Sequence, residues 1–177
     1  RRIEHSLPAE RGRFIGREAP LRALAAKLES GSRLVSVLGT GGTGKTRLAI
    51  RFAWTWLGAY PGGVWFCDLS QATTLDGIYY EAAQALNVPL GKTPPGAQLA
   101  DAVAGRARCL VLFDHFEQVA GHAEESVGSW LDRAPQASFL VTTREVLNVA
   151  GENTLPLGPM PPGEATALFL RRIEGFP

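Results

Sequence analysis

The chain has 177 residues, which is the usual size of a single domain. Apolar residues make up 45% of it, enough to form a buried core, so the composition excludes a disordered tail. Lys and Arg number 18 against 17 Asp and Glu, and the resulting net charge of +1 argues against a nucleic-acid clamp, because such proteins normally carry a basic excess.

No apolar run reaches the roughly 18–20 residues that a membrane-spanning helix needs, and residues 1–17 are too charged to be a signal peptide. Cys67 and Cys109 lie in separate apolar runs, which favours buried thiols in a reducing compartment over a metal site. We therefore expect a cytoplasmic protein with no membrane partner. Since the chain begins at Arg1 and its sole methionine is Met160, we also expect it to be a piece of a longer protein.

The pattern of apolar residues predicts a polar linker over residues 1–13 and one α/β domain over residues 14–177. In chain order it first predicts a helix that ends at Gly31, a strand at 34–38, a helix over 48–56, a strand at 64–67, and helices over 75–86 and 98–104. It then predicts a strand at 109–113, a helix over 124–133, strands at 138–142 and 154–157, and a closing helix over 163–173. Because most of these strands are apolar throughout and alternate with helices, we expect a parallel sheet covered by helices on both sides.

Residues 39–46, of sequence GTGGTGKT, match the phosphate-binding pattern G-x-x-x-x-G-K-[ST] between a predicted strand and a predicted helix. Glycines at 41, 42 and 44 allow successive backbone N–H groups to converge on phosphate oxygens, and the start of the helix adds its positive dipole end. Lys45 is placed for the β and γ phosphates, and the Thr46 hydroxyl can bind Mg²⁺. We call residues 39–46 the phosphate loop, and we expect it to bind a nucleotide with Mg²⁺.

An acidic residue should complete the magnesium site. Asp114 follows a run of apolar residues, and the carboxyl end of a buried parallel strand lies at the ligand-binding edge of such a sheet. Many phosphate-loop ATPases have a second acid directly after this position to orient the attacking water, whereas this chain has His115 there. Glu117 is the other candidate for that role, so the sequence favours nucleotide binding more strongly than hydrolysis.

Arg144 ends the predicted fourth strand in the sequence Thr-Thr-Arg, which would bring its guanidinium to the same edge of the sheet. A guanidinium there can bind the γ-phosphate and respond to its removal. The guanine-specific pattern N-K-x-D is absent from the sequence, so we expect ATP or ADP rather than a guanine nucleotide.

Four stretches of the sequence together resemble the STAND class of signal-transduction ATPases, and within it the NB-ARC-like domains of large bacterial regulators. They are FIGRE at 14–18, GTGGTGKTRLA at 39–49, LVLFDHFEQV at 110–119 and LVTTRE at 140–145. The resemblance implies a three-layer phosphate-loop NTPase fold with strand order 5-1-4-3-2 and a switch between ATP and ADP. It also implies adenine contacts from residues 14–17 and a sensor role for Arg144.

The residues expected at the site follow from the motifs and the resemblance together. Those expected to bind the nucleotide are Phe14, Ile15, Arg17, Gly39, Gly41, Gly42, Thr43, Gly44, Lys45, Thr46 and Arg47. Those expected to take part in catalysis are Lys45, Asp114, Glu117 and Arg144, and those expected to bind the metal are Thr46 and Asp114.

The resemblance further implies partners within a longer chain. In this class a helical lid and a winged-helix subdomain follow the nucleotide-binding core, and a sensor such as a repeat domain and an output such as a DNA-binding domain complete the protein. We expect these parts to lie outside the 177 residues, and we expect a homo-oligomer to form in the ATP-bound state. Nucleic acid is not an expected partner of this domain itself.

Three alternatives compete with an ATP-hydrolysing switch. One is a scaffold that binds nucleotide without hydrolysis and oligomerises when loaded. A second is a regulator that binds nucleic acid directly, which the balanced charge disfavours. A third is a small-molecule kinase, in which the Thr-Thr-Arg sequence and residues 14–18 would have no evident role.

Overall fold

A computed structural model describes residues 2–10, 12 and 16–159. The helix predicted over 163–173, and the residues Phe14 and Ile15, lie outside these described residues.

Five strands in the described part of the chain form one sheet, and all of them are parallel. They are β1 (Leu34–Leu38), β2 (Val64–Asp68), β3 (Leu110–Asp114), β4 (Ser138–Thr143) and β5 (Glu152–Pro156). Their order across the sheet is β2-β3-β4-β1-β5, which is 5-1-4-3-2 when it is counted from the other edge. The predicted fold class and strand order are therefore confirmed.

The described residues form five α-helices. They are α1 (Glu18–Glu29), α2 (Lys45–Thr55), α3 (Leu75–Leu86), α4 (Pro95–Gly105) and α5 (Ser129–Arg133). Thr74 caps α3 by accepting a hydrogen bond from the Gly77 N–H, and Asn87 ends that helix in the left-handed conformation. The helix α4 begins three residues earlier than predicted, because Pro95 fits the first turn, where its lack of an N–H has no cost.

The single helix predicted over 124–133 is only partly confirmed. The chain forms a 3-10 segment at Phe116–His122 and a π-helical turn at Glu124–Gly128 before it enters α5. The π turn includes a hydrogen bond from the Gly128 N–H to the Ala123 carbonyl, five residues earlier. A Cβ at Gly128 would lie 3.2 Å from the Glu124 carboxyl group, so the absence of a side chain there leaves room for Glu124.

Two hydrophobic cores cover the two faces of the sheet, and β3 shows how the strands supply both. Val111 and Phe113 belong to the core under α3, α4 and α5, whereas Leu110 and Leu112 belong to the core under α1 and α2. This alternation is the two-residue period of a strand, here with apolar residues on both sides. The arrangement is the predicted three-layer one, and it places β4 in the centre of the sheet, between β3 and β1.

The segment over residues 4–8, which was predicted to be part of a linker, lies along the free edge of β2. The Ser6 N–H donates to the Val64 carbonyl at 3.0 Å, and the Leu7 side chain is buried in the core under α1 and α2. The Trp54 indole N–H donates to the Pro8 carbonyl at 3.0 Å. The segment therefore covers hydrogen-bonding groups that an edge strand would otherwise leave open.

The predicted burial of the two thiols is confirmed. Cys67 and Cys109 are both buried and unpaired, and burial raises the pKa of both thiols, that of Cys109 to about 11. Neither is a reactive thiolate near neutral pH. Among the helices of the described part of the chain, none combines the length and apolar character needed to cross a membrane.

Candidate nucleotide-binding site

The predicted site residues meet at the carboxyl edge of the sheet. The phosphate loop follows β1, Asp114 ends β3, and Arg144 follows β4. Because β1, β4 and β3 are neighbours and parallel, their carboxyl ends lie side by side. This edge is where open α/β sheets bind ligands.

The phosphate loop has the backbone conformation that its glycines allow. Gly42 and Gly44 have φ angles of 80° and 86°, in the left-handed region that side chains disfavour. A Cβ at Gly39 would lie 2.8 Å from the Leu157 carbonyl oxygen and 2.8 Å from the Thr43 hydroxyl. Inside the loop the Thr43 hydroxyl donates to the Thr40 carbonyl at 2.9 Å. The loop is thus shaped by its own hydrogen bonds and by contact with the chain that leaves β5.

Lys45 lies at the start of α2 with its side chain folded back under the loop. Its Nζ donates to the Gly39 carbonyl at 2.8 Å and to the Thr40 carbonyl at 2.9 Å, and only 9% of the residue is exposed. Burial lowers the pKa of Lys45. The negative charges of Glu117 and Asp114 oppose this shift, while the positive charge of Arg144 adds to it. The hydrogen bonds hold the ammonium group next to the concave side of the loop.

Asp114 is almost fully buried, with 2% of the residue exposed, and two hydroxyl groups orient its carboxylate. Thr46 Oγ1 donates to Asp114 Oδ1 at 2.8 Å, and Thr142 Oγ1 donates to the same oxygen. A hydroxyl and a carboxylate oxygen in contact form the kind of hard oxygen pair that Mg²⁺ prefers, so Thr46 and Asp114 fit that ion. Thr142 was not among the predicted site residues, although it belongs to the Thr-Thr-Arg sequence.

Arg144 and Glu117 lie next to each other beside the loop. The Arg144 Nε is 3.9 Å from Glu117 Oε1, and a Cβ at Gly41 would lie 2.8 Å from Arg144 Nη2. Glu117 Oε2 is buried and has no hydrogen-bond partner among the described residues. The structure therefore places Arg144 and Glu117, two of the four residues predicted to take part in catalysis, beside the phosphate loop.

Arg17 supports the loop from the other side. Its guanidinium donates to the Thr43 carbonyl at 3.0 Å and to the Gly158 carbonyl at 2.8 Å, and the residue is 8% exposed. Arg17 thus ties the phosphate loop to the chain beyond β5. Arg47, in the first turn of α2, lies near Gly12, since a Cβ at Gly12 would be 3.9 Å from Arg47 Nη2.

Asp68 is a further residue at this edge that the sequence analysis did not single out. It ends β2 in register with Asp114, and the imidazole Nδ1 of His115 lies 3.5 Å from Asp68 Oδ1 and 3.1 Å from Asp114 Oδ2. Burial alone would raise the pKa of Asp68, but hydrogen bonds from Ser70 and the proximity of His115 lower it. The signal available for it in the sequence was an acid directly after the strand predicted at 64–67.

Relatives of the chain include bacterial regulators. An uncharacterised protein of Mycobacterium tuberculosis is 31% identical over 176 residues, which cover 97% of this chain and 44% of the relative. A putative HTH-type transcriptional regulator of the same organism is 34% identical over 158 residues (87% of this chain, 17% of the relative), and the regulatory protein AfsR of Streptomyces coelicolor is 32% identical over 186 residues (94% and 18%). The chain thus spans less than half the length of each.

Solved structures share the fold. Cdc6p from Pyrobaculum aerophilum superposes with a TM-score of 0.68 at 16% identity, over 92% of this chain and 50% of that chain. A STAND protein with a tetratricopeptide repeat sensor from Pyrococcus horikoshii superposes with a TM-score of 0.60 at 18% identity, over 99% of this chain and 28% of that one. At these identities the likeness concerns the fold.

No protein-family model matches the chain. The phosphate loop, the strand order, the shared fold and the regulator relatives nevertheless agree with one another. The resemblance seen in the sequence is therefore confirmed at this level: the chain has the fold of a phosphate-loop NTPase, shared with a STAND protein, and its relatives include bacterial regulators.

Proposed function

We propose that this domain is an ATP/ADP-binding switch with slow, Mg²⁺-dependent ATP hydrolysis within a larger signalling or transcriptional regulator. The observation that carries the proposal is the pairing of a glycine-shaped phosphate loop, closed over the Lys45 ammonium, with the hydrogen bond from Thr46 to Asp114. Together they present N–H groups, one cation and a pair of oxygen ligands at one edge of the sheet.

Each residue of the site has a proposed role that follows from its chemistry. Backbone N–H groups of the loop and Lys45 bind the phosphates, and Thr46 and Asp114 hold Mg²⁺, which when bound offsets phosphate charge. Arg144 lies against Gly41, from where its guanidinium can follow the γ-phosphate. Glu117 keeps a buried carboxylate oxygen with no hydrogen-bond partner among the described residues, and that oxygen is an acceptor available to orient a water molecule.

The relatives support the regulatory setting. Two of them are regulators by name, and each is several times longer than this chain. The nucleotide state would therefore act on other parts of the same protein, including the lid and winged helix that this class has after its core. Oligomerisation in the ATP-bound state belongs to the same proposal.

Hydrolysis is tested by single-turnover conversion of bound ATP to ADP. We expect slow turnover in the wild-type chain and roughly hundredfold slower turnover in Glu117→Gln, because the amide keeps the shape of the carboxylate but cannot accept a proton from water. Glu125→Gln, an exposed change on the π-helical turn, is the matched control and should leave the rate unchanged. ATP binding without turnover in the wild type would support the non-hydrolysing scaffold instead.

The sensor role of Arg144 is tested by comparing affinities for ATP and ADP. Arg144→Ala should lower the preference for ATP over ADP by about fivefold to tenfold, which is the expected size for a partly exposed charge-assisted hydrogen bond to the γ-phosphate. Arg133→Ala, which removes an exposed arginine paired with Asp101, is the control. The same ATP-to-ADP affinity ratio in Arg144→Ala and wild type would contradict the sensor role.

A further inference from the structure

Three metal-binding side chains meet at the carboxyl ends of β2 and β3, beside the phosphate loop. Asp68, Asp114 and His115 each offer one ligand atom, and these atoms all lie within 4.8 Å of one another. Two of the three come from different strands, so their meeting is a property of the strand pairing. His115 occupies the position directly after Asp114, where many phosphate-loop ATPases have a second acid.

Two carboxylate oxygens lie near the His115 Nδ1 at distances that two ligands of one ion can have. This nitrogen is buried, although 44% of the side chain is exposed, and it makes no hydrogen bond of acceptable geometry with any of the described residues. Asp114 Oδ2 lies 3.1 Å from it and Asp68 Oδ1 3.5 Å. In a hydrogen bond the N–H points at the oxygen. The ligand atoms of one ion instead lie side by side, and each points at the ion. With metal–ligand bonds of about 2.1 Å, two ligands lie about 3.0 Å apart at a right angle and about 3.4 Å apart at a tetrahedral angle.

Hydrogen bonds hold Asp114 and His115, which are adjacent in sequence, in place for this arrangement. Asp114 Oδ1 accepts hydrogen bonds from Thr46 and Thr142, which leaves Oδ2 turned toward the imidazole. The backbone N–H of His115 donates to the Thr142 hydroxyl at 3.0 Å. The backbone of His115 is in the left-handed conformation, with φ 61° and ψ 51°. A non-glycine residue in that conformation is strained, and such strain is retained where the surroundings hold it. One threonine therefore orients both ligands, as supporting residues of metal sites do.

We propose that Asp68, Asp114 and His115 bind a first-row divalent transition-metal ion in the absence of nucleotide. Two carboxylates and one imidazole suit such an ion, whereas Mg²⁺ prefers oxygen ligands alone and relies on substrate phosphates. The proposal extends the magnesium side of the proposed nucleotide site. Only a use of this ion in nucleotide binding rests on the proposed function. Binding of the ion itself does not, because all three ligands belong to the protein.

Titration of the nucleotide-free chain with Co²⁺, followed by visible absorption, tests the proposal. We expect saturable binding of one ion, weakened about tenfold or more in Asp68→Asn and in His115→Asn. Asparagine tolerates the left-handed backbone, so His115→Asn should keep the fold, and circular dichroism checks this. His122→Asn and Asp76→Asn remove a histidine and an acid elsewhere, and both should bind Co²⁺ like the wild type.

A second measurement separates binding at His115 from binding elsewhere. Mn²⁺ broadens NMR signals close to it, so it should broaden the imidazole signals of His115 at concentrations that leave those of His5 and His122 sharp. Absence of saturable Co²⁺ binding below about 1 mM, or equal affinity in wild type and His115→Asn, would overturn the proposal. ATP affinity is measured on the same samples. Normal ATP affinity without Co²⁺ binding would contradict the metal site alone, whereas loss of ATP affinity would contradict the nucleotide site.

Discussion

Lys45→Ala is expected to weaken binding of both ATP and ADP by roughly a hundredfold or more while the domain remains folded. The lysine provides the cation of the phosphate loop, and charge-assisted hydrogen bonds to phosphate oxygens are worth about 1.5–3 kcal/mol each. Its ammonium group already lies against the loop, because it donates to the carbonyls of Gly39 and Thr40. Phosphate binding therefore needs little rearrangement of this side chain.

Isothermal titration with each nucleotide measures the loss, and thermal unfolding shows whether the variant is folded. Lys92→Ala is the matched control, since it removes one lysine from an exposed loop and leaves the net charge of the two variants equal. Unchanged nucleotide affinity in folded Lys45→Ala would rule out the phosphate loop as the binding site.

Asp114→Asn should make ATP affinity nearly independent of Mg²⁺. The wild-type chain should bind ATP more tightly with Mg²⁺ than without it. Loss of an outer-shell group at a metal site already costs roughly tenfold to hundredfold in metal affinity, so loss of this carboxylate should cost at least as much. The amide oxygen of asparagine can still accept from the hydroxyls of Thr46 and Thr142, so the local hydrogen bonds need not collapse. The variant thus removes the charge with little change in shape.

ATP titrations with and without Mg²⁺ give the ratio of the two ATP affinities, which measures the Mg²⁺ effect. Asp132→Asn, an exposed acid in α5, is the control and should keep the wild-type ratio. If Asp114→Asn kept the full Mg²⁺ effect, the metal would have to be bound without this carboxylate, and the assignment of Asp114 would fail.

Some of this site could be predicted from sequence because its signals are local. The glycines, Lys45 and Thr46 are consecutive or nearly so, and the backbone that binds phosphate is a property of that short segment. Asp114 was predictable because one apolar run ends in it. The strand order came from the family resemblance, since periodicity alone does not say which strands pair.

Other features depend on contacts between distant parts of the chain. Asp68 reaches Asp114 only because β2 and β3 pair in that register, and Arg17 connects Thr43 with Gly158 only after the sheet has formed. The bent path from Phe116 to Gly128 likewise departs from a helical pattern that is present in the sequence. Packing against the sheet decides these local conformations over intrinsic preference.

By itself, the sequence determined the succession of strands and helices, the phosphate loop and the acid that faces it, because each is encoded by neighbouring residues. Only the tertiary structure decided that residues 4–8 cover the edge of β2, that Glu117 lies beside Arg144, and that His115 faces two carboxylates. Each of these depends on which strands are neighbours in the sheet. Neighbouring strands are selected by burial of apolar surface over the whole domain, a quantity that no short stretch of sequence contains.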